Sequence, residues 1–203
     1  MVGAKFGWST AINKNNVILF GAPQQSNSVG GREGAVYIYD YDCNNLWEQT
    51  EKIIGNYRDY FGFSISINDN NTFSVGATAN SDITPDFGDG SGNVTIFSYS
   101  RKHDRSILID SSVNILDPSS NDGISTNNLF GYSVFIDNYV LLVGSPKYST
   151  IDASGRAYLY DFNQSTPVLV QEFVAPVGSK YFGSSVSASI NNSDYNIVVI
   201  GAG

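Results

Sequence analysis

The chain of 203 residues carries 19 acidic side chains against 11 Lys and Arg, a net charge of −8 and a pI near 4.4. Such an acidic balance argues against a nucleic-acid partner, because counterion release from a phosphate backbone needs a basic face. With 41 % hydrophobic and 15 % charged residues, the chain is long enough to bury about 70 % of its unfolded surface. Cys43 is the sole cysteine, which excludes an internal disulfide and leaves the redox compartment open. No apolar run has the length of a membrane span, and Met1-Val2-Gly3-Ala4-Lys5 leads into structure without a signal-peptide core, so no direct membrane insertion is expected.

In chain order the first element opens at Phe6-Gly7 and continues as Trp8-Ser9-Thr10-Ala11. The turn Asn13-Lys14-Asn15-Asn16 reverses it into the apolar run Val17-Ile18-Leu19-Phe20, closed by Gly21-Ala22-Pro23. Asn is ordinary in such turns, since its side chain bonds the local backbone and tolerates left-handed conformations. After a polar loop, Gly34-Ala35-Val36-Tyr37-Ile38-Tyr39-Asp40 reads as a third strand, rich in aromatic and β-branched residues. The stretch 46–54 alternates and carries Glu48, Glu51 and Lys52, as suits a fourth strand at an exposed edge.

The same sequence of events then recurs. Phe-Gly stands again at Phe61-Gly62, Phe130-Gly131 and Phe182-Gly183, and the closing glycine at Gly76, Gly144 and Gly201. Third strands follow at 92–98 and 155–161, fourth strands at 107–116 and 168–175. In the third hairpin, Asp137-Asn138 is the expected turn. The chain thus divides into units 6–60, 61–129 and 130–181 and a half unit 182–203. Repetition at this period, four strands per unit, predicts an all-β β-propeller of four-stranded antiparallel blades. Second strands, covered on both sides, should be apolar without a break; first strands, nearest the axis, should be small.

These residues carry a family resemblance. The Phe-Gly openings and the Gly-Ala-Pro closure resemble the FG-GAP repeats of integrin α-chains, and Leu46-Trp47-Glu48 is similar to the fourth strand of the form common in non-animal members. The resemblance implies a seven-bladed propeller. About three and a half blades are present, so the expectation is an open arc, a fragment or a truncated member, prone to self-association through open blade edges. It also implies an extracellular or cell-surface location and a protein ligand, or a glycan, on the loop face. Many members hold calcium in an Asp-x-Asp-x-Asp-Gly loop between first and second strands. Here each such turn offers at most one carboxylate, and no metal or other cofactor is expected.

Reaction chemistry has little support in the sequence, and the expected activity is non-catalytic. His103, the single histidine, lies in Arg101-Lys102-His103-Asp104-Arg105, which reads as a solvated charged turn. Cys43 reads as a loop thiol. Asp86-Phe87-Gly88 copies a kinase tripeptide without its companions, and Gly88-Asp89-Gly90-Ser91-Gly92 runs into a strand where a phosphate loop needs a helix. Function is therefore expected in the long loops, 23–33, 78–91 and 146–154 between second and third strands and 55–60, 117–129 and 176–181 between units. Arg32, Tyr57, Arg58, Tyr148 and Tyr181 are the expected anchors, since Tyr and Arg are enriched at interface centres. Asp82, Asp86 and Asp89 form the one acidic cluster. The alternative is an accessory propeller of a larger secreted hydrolase or glycan-binding protein.

Overall fold

A computed structural model describes residues 3–26, 31–41, 46–78, 92–103, 106–118, 128–147, 154–164, 166–190 and 197–203. It is all-β, with fourteen strands and no α-helix among the described residues. The strands form four antiparallel sheets, each a meander in chain order. The first holds β1 (Ser9–Ile12), β2 (Val17–Ala22), β3 (Ala35–Tyr41) and β4 (Trp47–Ile54). The second holds β5 (Ser64–Ile67), β6 (Thr72–Ala77), β7 (Asn93–Arg101) and β8 (Ile107–Leu116), and the third β9 (Ser133–Asp137), β10 (Val140–Ser145), β11 (Arg156–Asp161) and β12 (Val168–Val174). The last sheet has two strands, β13 (Ser185–Ser189) and β14 (Ile197–Gly201).

The sheets stand side by side like blades. First strands neighbour one another, β1 beside β5, β5 beside β9 and β9 beside β13, and β5, β9 and β13 also lie against the second strand of the preceding sheet. Two apolar cores fill the gaps. Val17, Leu19, Val36 and Ile38 of the first sheet meet Phe73, Val75, Phe97 and Tyr99 of the second; Val94 and Ile96 meet Phe130, Leu141, Val143 and Tyr158. Fourth strands lie outermost and are largely exposed in all three full sheets.

The Phe-Gly pair has a local reason. The amides of Trp8, Phe63, Tyr132 and Ser184 donate to the carbonyls of Lys5, Tyr60, Leu129 and Tyr181 at 3.0 to 3.1 Å. Each Phe-Gly is thus the centre of a four-residue turn, and the glycines at its third place have φ of 79°, 86°, 83° and 92°. That is the type II turn, whose third residue must accept positive φ. The residue before each phenylalanine is left-handed as well, with φ of 54° to 57° at Lys5, Tyr60, Leu129 and Tyr181. Beyond the turn, Gly34, Gly92 and Gly155 at the heads of the third strands make parallel bridges to Phe61, Phe130 and Phe182 of the next unit.

Three features depart from the sequence reading. The turn of the third hairpin is Asn138-Tyr139, because Asp137 already pairs with Val140 and Asn138 takes the left-handed place with φ 47°. First strands are not uniformly small: Phe135 lies in β9, and Trp8, Phe63 and Tyr132, each one residue ahead of a first strand, form a row of tilted rings across three sheets, with centroids 5.5 and 5.0 Å apart. Each third strand also meets a bulge in its fourth strand, at Ile38/Tyr39, Ser98/Tyr99 and Leu159/Tyr160. A bulge repeated at one place adds twist to the three full sheets at the same height.

Candidate functional site

Meander topology places two kinds of connection at opposite ends. The Phe-Gly turns, the closing glycines and the long loops emerge at one, the loop end; the hairpins between first and second strands emerge at the other, the turn end. Of the eight expected site residues, Arg32, Tyr57, Arg58 and Tyr181 belong to connections of the loop end. Asp82, Asp86, Asp89 and Tyr148 lie outside the described residues, as does Cys43.

Of the remaining four, Arg32 is tied at the junction of the first two sheets to Tyr60, in the loop that carries Tyr57 and Arg58. Arg32 is half-buried; its Nη1 donates to the Tyr60 hydroxyl at 2.6 Å, and its guanidinium lies 5.7 Å from that ring's centroid. Tyr60 itself is buried, so Arg32 helps hold the loop 55–60 against the first sheet. Arg58 stacks over Tyr57 at 5.1 Å, and Tyr57 remains 46 % exposed. Tyr181 stands apart, 45 % exposed, on the wall of a groove of about 310 Å3 it shares with Leu129, Tyr132, Pro146 and Lys147 between the last two sheets. Two tyrosine faces and one apolar groove are thus presented at the loop end.

The turn end is a hydrogen-bonded relay. In the first hairpin Asn13 Oδ1 accepts from the Val17 amide, and in the second Asn68 Oδ1 accepts from the Thr72 and Asn70 amides. The other half of each amide reaches sideways. Asn13 Nδ2 donates to Asn68 O at 2.9 Å and to the Tyr99 hydroxyl at 3.0 Å, while Asn68 Nδ2 donates to Asn138 O at 3.1 Å. Burial pushes the Tyr99 phenol up, which keeps that hydroxyl neutral beside the amide. Lys14 adds its backbone amide and its ammonium to Asp69, both at 2.9 Å. The amide bond is the larger cause of the Asp69 carboxyl lying below the usual range, followed by the ammonium.

The oxygens of these turns do not fit a calcium cage. Asn13 and Asn68 direct theirs at their own backbone, Asp69 is held by Lys14, and Asp137 Oδ1 accepts from the Asn138 amide. Among the described residues no three of His, Cys, Asp and Glu gather to hold a metal. Side-chain amides here join neighbouring turns where a hard cation would need converging carboxylates.

Beside the relay lies an open groove of about 680 Å3 that touches all four sheets, with Ile12, Ile67, Asp69, Asp137 and Ser189 among its walls. Sequence reasoning missed it because its walls come from residues far apart in the chain. The relay did leave a signal: Asn opens both four-residue turns, at Asn13 and Asn68, in the same phase. Arg101 is exposed, as a solvated segment implies, but it ends β7 and reaches the first sheet, 2.7 Å from the buried Asp40 carboxylate and also bonded to Asn15 O. His103, two residues on, is exposed. Compared with known proteins, the chain matches no family model and no curated protein.

Proposed function

We propose that the chain is a partial β-propeller of the FG-GAP kind, an open arc of three and a half blades, and that it acts as a non-catalytic module binding a protein ligand through its loop end. The observation that carries this is the pairing of exposed Tyr57 and Tyr181 with a scaffold whose sheets are tied together at both ends. A scaffold so braced gives loop side chains fixed positions, which lowers the ordering cost on binding, and tyrosine supplies a rigid contact area with a polar tip. A second reading, a glycan-binding or accessory propeller of a larger secreted protein, draws on the groove at the turn end, where Asp69, Asp137 and Ser189 stand beside Ile12 and Ile67. Carboxylate and hydroxyl groups over an apolar floor suit a hydroxyl-rich ligand.

The test is binding of the folded chain to an array of secreted and cell-surface ectodomains and, in parallel, to a glycan array. A protein hit lost in the Tyr57→Ala/Tyr181→Ala double variant and kept in Asp137→Ala is the expected result. A glycan hit that disappears with Asp137→Ala and survives the tyrosine changes moves the function to the turn-end groove. Binding on neither array overturns both.

A further inference from the structure

One contact is repeated at every junction between sheets. Ser9 Oγ donates to Gly62 O at 2.8 Å, Ser64 Oγ to Gly131 O at 2.7 Å and Ser133 Oγ to Gly183 O at 2.8 Å. Opposite each serine across the hairpin stands the closing glycine, Gly21, Gly76 or Gly144. A Cβ on any of these would overlap the same incoming carbonyl oxygen. The clasp therefore needs a hydroxyl donor and an absent side chain on one unit and a Phe-Gly turn on the next. The serine and glycine of the clasp lie on the first two strands of the receiving unit, against which the next unit's first strand packs, while the head of its third strand bridges the incoming phenylalanine.

The last sheet consists of two strands, β13 and β14, and reproduces the clasp of the receiving half. Ser185 pairs with Gly201 in the same register, yet a Cβ on Gly201 would find its nearest neighbours all in Ser185, with no incoming carbonyl. Ser185 is exposed. Ile197 and Val199, at the places of the fully buried Val17 and Leu19, are 59 % and 58 % exposed.

The opposite flank of the molecule reproduces the inserting half. Phe6-Gly7 makes the same turn as its counterparts, with φ 79° at Gly7 and the Trp8 amide on Lys5 O. Phe6 is 52 % exposed where Phe130 is fully buried. Around it Phe20, Tyr37 and Tyr39 form an aromatic face, with Phe6 stacked on Phe20 at 5.1 Å and Phe20 edge-on to Tyr39 at 5.4 Å. All three are half-buried, whereas Val143, Tyr158 and Tyr160 at the matching places of the third sheet are covered by the second.

We propose that these flanks are the two halves of one head-to-tail interface between copies of this chain. The Phe6-Gly7 turn of one copy seats on β13 and β14 of another, whose Ser185 hydroxyl donates to the Gly7 carbonyl. The occupant is fixed by continuity with the three internal junctions, which join the same two surfaces within one chain. The contact is heterologous: it uses different patches on the two copies and leads to a closed ring or an open chain according to the rotation it imposes.

The test is sedimentation velocity of the 203-residue chain over a concentration series, with Phe6→Asp blocking the inserting flank and Gly201→Ala the receiving one. Circular dichroism and the urea midpoint show that each variant is folded. The wild-type sedimentation coefficient rises with concentration, and each variant alone stays monomeric. Mixing the two variants restores a single species of two chains that grows no further, because one intact half of each kind is left. A monomeric wild type overturns the proposal, as does continued association of both variants or a mixture that stays monomeric.

Discussion

Ser133 with Gly144 and Ser185 with Gly201 are the same pair of residues in the same register on two neighbouring hairpins. The first pair receives the Gly183 carbonyl, and the second faces open space. On the inserting side, Phe130 and Phe6 make the same turn and differ from fully buried to half exposed. The repeat therefore encodes a junction, and a residue's burial is set by whether the neighbouring unit is present. The motif that opens and closes each hairpin is one half of an interface written many times into one chain.

The widest separation between inner and outer copies is expected at the phenylalanines. Phe130→Ala should cost about 4 kcal/mol, the range for a buried aromatic replaced by a small side chain. Phe6→Ala should cost about 1 kcal/mol, mainly its ring contacts with Phe20 and Tyr37. Urea unfolding midpoints measure both, and equal losses would break the comparison. Next come the closing glycines. Gly144→Ala drives a methyl into the Gly183 backbone and should cost about 3 kcal/mol. Gly201→Ala displaces only the rotatable Ser185 hydroxyl and should cost about 0.5 kcal/mol or less. Ser64→Ala removes one part-buried hydrogen bond, about 1 kcal/mol, against roughly none for Ser185→Ala.

The smallest effect is electrostatic and sits at the turn end. The Asp69 carboxyl is held low by the Lys14 amide and ammonium, so its contribution is full above the unfolded carboxylate value near about 4 and is lost as pH falls through the lower folded value. Asp69→Asn should remove that acid limb from the pH dependence of the urea midpoint and leave neutral stability little changed. The pair is exposed and screened. An unchanged acid limb would show that Asp69 does not brace the relay.

Much of the architecture was legible because period and turn chemistry are local. The four Phe-Gly pairs mark type II turns by the demands of one residue's φ, and the third strands announce themselves by aromatic alternation at Tyr37, Ile38 and Tyr39. The same locality explains the errors. Asp137-Asn138 was one residue off because register comes from cross-strand pairing, which a turn signal alone does not fix. Arg101 looked like one member of a charged turn, yet its partner Asp40 lies 61 residues away in sequence. Of the expected anchors, Arg32 is tied through Tyr60 to the loop of Tyr57 and Arg58 while Tyr181 stands on a different groove, a distribution set by how successive sheets sit beside each other.

Alone, the order of amino acids determined the strands, their grouping into units and the residue types facing each neighbour, because these follow from periodicity over a few residues. Tertiary structure alone decided what each serine and glycine of the repeat does. It also joined Asn13, Asn68 and Asn138 into one relay and left Phe6, Ile197 and Val199 uncovered. Those outcomes depend on contacts between units, and the free energy of such a contact exists only when both surfaces meet.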